Sequence, residues 1–144
     1  MEIDPTRVVT EQGVRVIRAG DRLPDVASGD MIRQAAISKG TVGAEKLWVG
    51  WVELGPGLVS AVHHHGDSES GIFVVSGRAR FYSGPELDES FEAREGEFVW
   101  VPPNAIHVEQ NISTGDPVRM VVARSTQETL VFNVTAPSGW TPIR

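Results

Sequence analysis

Apolar residues come in short runs along this chain, and each run is closed by residues that break regular structure. VRVIRA (14–19), KLWVGWVEL (46–54), LVSAVHHH (58–65), IFVVSG (72–77), RARFYS (78–83), EFVWVP (97–102), IHVEQN (106–111), VRMVVARS (118–125) and TLVFNV (129–134) are rich in Val, Ile, Phe and Trp. Between them lie turn-forming groups such as Gly20-Asp21, Ser28-Gly29-Asp30, Gly55-Pro56-Gly57, Gly66-Asp67, Ser83-Gly84-Pro85, Pro102-Pro103-Asn104 and Gly115-Asp116-Pro117. The runs are too short and too β-branched for helices, and no apolar period of 3.6 is sustained. Many short strands at near-regular spacing predict an all-β sandwich or barrel. MIRQAAIS (31–38) suits either a turn of helix or a strand. The tail TAPSGWTPIR (135–144) is rich in Pro and Gly and is expected to wander unless Trp140 anchors it. Trp48, Trp51, Phe73, Phe98 and Trp100 sit in strand patterns, where core packing is the default role.

Composition narrows the chemistry. The 144 residues suffice for one domain with a real core. Absence of cysteine excludes disulfides, thiolate metal sites and cysteine nucleophiles. Basic residues are scattered singly and the net charge is −6, so the basic stripe that nucleic acid requires is missing. No apolar run approaches the ~18 residues of a membrane span. The N-terminus carries Asp4 and Pro5 where a secretory signal needs an uninterrupted apolar segment. The expectation is a cytoplasmic protein with no nucleic-acid or membrane partner.

Three of the four histidines are consecutive, at 63–65. Side chains alternate faces along a strand, so His63 and His65 point one way and His64 the other. The fourth, His107, follows the Pro102-Pro103-Asn104 turn on another expected strand. Three imidazoles from two strands make a neutral facial site with positions left for water or substrate. Glu109, two residues past His107, shares its face. It is the candidate general base, read against the alternative of an exposed acid at a strand end. Arg78 and Arg80 share a face after Gly77; a solvated role is expected, with contact to an anionic substrate as the alternative.

The stretches 57–77 and 96–111 resemble the two cupin motifs. In the first, Gly57 is followed by five residues, then His63-His64-His65, and Gly77 closes it. In the second, Gly96, EFVWV, Pro102-Pro103-Asn104, two residues, His107, three residues and Asn111 match except at Asn104, where glycine is usual. Asn is the next-best residue for positive φ. The resemblance implies an all-β double-stranded β-helix, the cupin jelly-roll barrel, as a single domain over 1–144. Within it, 1–45 would supply N-terminal strands and a dimer arm, 46–134 the barrel core with both motifs, and 135–144 the tail. His63, His65 and His107 are implied as ligands of one divalent transition metal (Fe, Mn, Ni or Zn).

The family's glutamate ligand is where the chain departs. Counting back from Gly77 lands on Ser70, whereas counting forward from His65 lands on Glu69, and one residue on a strand reverses the face. Glu69 is expected as fourth ligand if a bulge around Gly66–Gly71 absorbs the extra residue; otherwise Ser70 or water occupies that position. The functional expectation is a metal-dependent enzyme on a small-molecule substrate, with dioxygenase-type or Lewis-acid isomerase or lyase chemistry. The alternatives are a non-catalytic metabolite- or metal-binding module and a metal-free sugar epimerase or sugar-binding cupin. A homodimer is expected because strand-like segments such as VRVIRA need an edge to pair with.

Overall fold

The computed structural model describes residues 13–25, 27, 29–128 and 130–143. Its strands, in chain order, are β1 (Leu23–Pro24), β2 (Ile32–Ile37), β3 (Trp48–Leu54), β4 (His63–His64), β5 (Ser70–Ser76), β6 (Arg78–Ser83), β7 (Glu89–Arg94), β8 (Phe98–Val101), β9 (His107–Asn111), β10 (Val118–Arg124) and β11 (Phe132–Asn133). They form two antiparallel sheets, in the orders β1-β2-β3-β10-β5-β8 and β11-β4-β9-β6-β7. One short helix, α1 (Lys39–Val42), follows β2; the Ser38 side chain caps it and Gly43 ends it in the left-handed conformation.

Period-two alternation builds the core. Trp48, Gly50, Val52 and Leu54 of β3 point inward, as do Val118, Met120 and Val122 of β10 and Ile72 and Val74 of β5. Ala79 and Phe81 of β6 meet them from the other sheet. Burying each large apolar side chain contributes about 1.5–3 kcal/mol. A smaller cluster of Tyr82, Leu87 and Val108 lies apart from this core, and Trp140 packs against it. The Trp140 ring meets Tyr82 edge-on at 5.2 Å, and its Nε1 donates to the Leu87 carbonyl. Gln110 donates to the Ile143 carbonyl, and the Ile143 N–H donates to the Tyr82 hydroxyl. These contacts hold the tail in place.

Several elements differ from the sequence expectation. VRVIRA is not a strand: residues 14–18 are irregular, lead into a 3₁₀ turn at Ala19–Asp21, and leave Val14 and Val16 exposed. Residues 32–37 of the ambiguous MIRQAAIS segment are strand β2, because one edge of β3 is there to pair with. ESFEAR became β7, paired with β6 along its whole length, although its mostly exposed, polar residues carry no hydrophobic signal. LVSAVHHH is mostly irregular and contributes only the two-residue β4 and a single bridge from Val59 to Gln110.

Candidate metal centre

The two histidine segments meet through a direct pairing: His63 of β4 stands opposite His107 of β9. Asn104, at φ 61°, makes the turn before β9, and its N–H donates to the Gly66 carbonyl at 2.7 Å. The loop after the first motif and the turn inside the second are therefore tied together. Asn111 serves the same end structurally: its side-chain amide donates to the carbonyls of Leu54 and Asp116 and its oxygen accepts from the Ser113 N–H. Gly77 sits at φ 88°, where an added Cβ would lie 3.0 Å from both Pro117 O and Val118 Cα, so the turn between β5 and β6 requires glycine.

His63, His65 and His107 are all buried, and one ring nitrogen from each lies within 4.8 Å of the other two. Every Nδ1 is engaged by a backbone carbonyl: His63 with Ala61 at 2.8 Å, His65 with Leu130 at 2.7 Å, His107 with Ala105 at 2.9 Å. Carbonyls only accept, so each Nδ1 carries a proton, which makes Nε2 the atom that each ring could offer a cation. Ring centroids are 4.2 Å apart for His63 and His107, 4.8 Å for His63 and His65, and 5.2 Å for His65 and His107. Three carbonyl-oriented imidazoles on one wall, each neutral once Nε2 is deprotonated, fit a divalent transition metal. His64 points away, stacks on Phe132 at 5.0 Å and accepts from the Gly66 N–H through Nδ1.

Burial pulls the pKa of His63 down, with the charges of His107 and Arg33 adding to the effect against Glu109, and burial lowers His65 to about 4. Burial acts the same way on His107, but the Glu109 carboxylate outweighs it and its pKa is raised. Glu109 is itself buried, with Oε1 3.4 Å from His107 Nε2. Burial pushes the carboxyl up, yet the His107 contact and the charges of His107, His63 and Arg33 more than offset it and hold the pKa at about 2. Glu109 is thus an interior carboxylate beside the histidines, with Oε2 making no hydrogen bond among the described residues. The exposed-acid alternative does not hold.

Glu69 is not brought to the cluster. Its carboxylate is exposed and accepts from Trp100 Nε1 at 2.7 Å, while its backbone N–H and carbonyl both bond to Ser125. Ser70 takes the inward position, buried on the face shared with Ile72 and Val74. The register irregularity in β5 lies near its far end, opposite Arg119 and Met120, too far along to turn Glu69 inward. Arg78 and Arg80 both bind Glu92 across the β6–β7 ladder, Arg78 at the exposed surface and Arg80 less so, and neither faces the histidines.

Sequence reasoning did not single out Arg33. It is 5% exposed on the inward face of β2, and its charge is felt at all three histidines and at Glu109. The available signal was an arginine at an alternate position between Met31 and Ala35, both of which are core residues.

Residues 50–124, just over half of the chain, match the family profile described as "Cupin domain". Comparison with curated proteins gives no match. Among solved structures, the polyketide cyclase RemF of Streptomyces resistomycificus superposes with a TM-score of 0.71 at 18% identity, covering 88% of this chain and 89% of that one. An uncharacterized conserved Klebsiella pneumoniae protein with a double-stranded β-helix domain gives 0.66 at 18% identity, over 85% and 99%. The oxalate decarboxylase of Lactobacillus farciminis, solved as a formate complex, gives 0.68 at 21% identity, over 80% of this chain and 34% of that one. The chain therefore spans about a third of that decarboxylase's length. At these identities the likenesses establish the fold.

Proposed function

The chain belongs to the cupin family, and from that premise we propose that it is a metal-dependent enzyme acting on a small molecule, with His63, His65 and His107 holding one divalent transition metal ion. The observation that carries this reading is the convergence of three buried imidazoles whose Nδ1 atoms are all tied to backbone carbonyls. Structural neighbours named as a polyketide cyclase, oxalate decarboxylases and an oxalate oxidase support an enzymatic use of this barrel. Bound there, such an ion would supply Lewis-acid or oxygen-dependent redox chemistry. Glu69 is not part of the proposed donor set.

Glu109 is the proposed general base. It lies beside His107 with Oε2 making no hydrogen bond among the described residues, which places it to take up a proton at the histidine wall; the charges that hold its pKa at about 2 weaken it as a base while they persist. The histidines act as ligands in this reading, and His63 itself is fully buried. The protein works in the cytoplasm as a homodimer in this reading. The dimer surface is the edge strand β8, where Phe98 and Trp100 stand exposed.

Elemental analysis of untagged protein tests the assignment. One equivalent of a transition metal per chain is expected, falling well below stoichiometric in His107→Ala because two imidazoles make a weak site. Undiminished metal in that variant would remove the proposed centre.

A further inference from the structure

We infer that Glu109 is itself a ligand of the proposed metal ion, binding through Oε1, and so supplies from β9 the carboxylate that the first motif withholds. This deepens the reading above and rests on its three-histidine centre.

The first motif leaves the donor set without an acid. Glu69 bonds Trp100 at the surface, and the inward position beside it carries Ser70. Strand β9 carries an acid instead. Side chains alternate along it, so Glu109 is the next inward position after His107, and the two stand opposite Phe81 and Ser83 of β6. The backbone of Glu109 is held on its other side by Ser60. Its N–H donates to Ser60 Oγ at 2.9 Å, and its carbonyl accepts from the Ser60 N–H at 2.8 Å. The side chain is thereby fixed in the interior, where the residue is 3% exposed.

There it faces another acceptor. His107 Nδ1 is bonded to the Ala105 carbonyl, so the neutral ring presents the lone pair of Nε2, 3.4 Å from Glu109 Oε1. Two acceptors facing each other repel unless a cation stands between them. A proton would draw them together, since a charge-assisted N–H···O bond closes to about 2.7–2.9 Å. Neither His107 Nε2 nor Glu109 Oε2 makes a hydrogen bond among the described residues. Two ligand atoms held at about 2.1 Å from one ion, at the tetrahedral angle, lie about 3.4 Å apart. The observed separation is that of neighbouring ligands on a metal.

Charge supports the same assignment. An ionised carboxylate is costly to bury without partners, and a divalent ion offsets that cost. Three neutral imidazoles leave the ion its full charge, and Glu109 would reduce it by one. Binding through Oε1 leaves Oε2 as the oxygen that takes up a proton.

The untagged full-length protein loaded with Zn(II) tests the ligand. Its crystal structure should place Glu109 Oε1 about 2.0–2.2 Å from the ion. Zinc on the three histidines with water in the fourth position and Oε1 about 3 Å away or more would overturn the assignment. In competition titration against a chelating dye, Glu109→Gln should lose about tenfold or more of the zinc affinity, and Glu109→Asp should recover part of it. Wild-type affinity in Glu109→Gln would also overturn it. So would lost affinity in that variant combined with a carboxylate off the ion in the wild type, since the loss would then come from charge alone. The crystal structure needs no variant, so it decides the question even if Glu109→Gln does not fold. Wild-type protein that binds no zinc would remove the centre and the ligand together, whereas one zinc per chain held equally by wild type and Glu109→Gln would remove the ligand only.

Discussion

At the residue scale, a one-position difference separates a side chain inside the barrel from one outside it. His63 and His65 enter the cluster while His64 stacks on Phe132, and Ser70 is buried while Glu69 bonds Trp100 at the surface. Two expectations follow from this parity. His64→Ala should leave metal content unchanged, since its Nδ1 serves only the Gly66 N–H. Glu69→Ala should likewise leave metal affinity within about twofold of wild type, because an exposed acid that contacts no ligand histidine adds little. Competition titration against a chelating dye reads both; a loss of about tenfold in Glu69→Ala would place its carboxylate on the ion in solution. The parity of the histidines was legible in the sequence. That of Glu69 was not, because the two motif counts disagree by one and only the β5–β10 pairing settles which residue faces in.

At the scale of elements, β3 shows how a strand accommodates an oversized side chain. Its inward sequence Trp48, Gly50, Val52, Leu54 places the smallest residue next to the largest, and the indole occupies the space above Gly50. The same hypothetical Cβ would also come within 2.7 Å of the Gln34 carbonyl on β2, so neither neighbour can yield cheaply. Gly50→Ala is therefore expected to destabilise the fold by about 1–3 kcal/mol, the usual cost of overpacking. Urea unfolding followed by tryptophan fluorescence measures it, and a variant as stable as wild type would show that Trp48 has another rotamer open to it. Glycine in KLWVGWVEL read as an ordinary strand residue from the sequence, since nothing local reveals that the ring two positions back folds over it. Strand β7 was missed for a related reason: its stability comes from pairing with β6, which no hydrophobic pattern announces.

At the scale of the molecule, β8 ends one sheet and β7 the other, each without a further strand among the described residues. Phe98 and Trp100 are 78% and 64% exposed on β8, and Phe91 is exposed on β7. Apolar residues on an unpaired edge are a liability unless a partner covers them. Light scattering at micromolar concentration should give the mass of a dimer, and Phe98→Glu should shift it towards the monomer. A wild-type monomer would reject the dimer. The sequence expectation of a dimer arm in VRVIRA has no strand behind it, so the argument now rests on β8 instead.

The sequence by itself determined the class of fold, the pair of motif loops and the three histidines, because each is written in short-range terms. Strand parity sets which histidines share a face, turn residues at fixed spacing set where the loops close, and Asn104 supplies the positive φ that its turn needs. The tertiary structure decided what depends on residues distant in the chain. Glu109 stays ionised in the interior because His107, His63 and Arg33 surround it, and Arg33 reaches that interior because β2 found the free edge of β3. Pairing partners and the charge of a buried group are properties of packing across sheets, and no local pattern in a single strand encodes them.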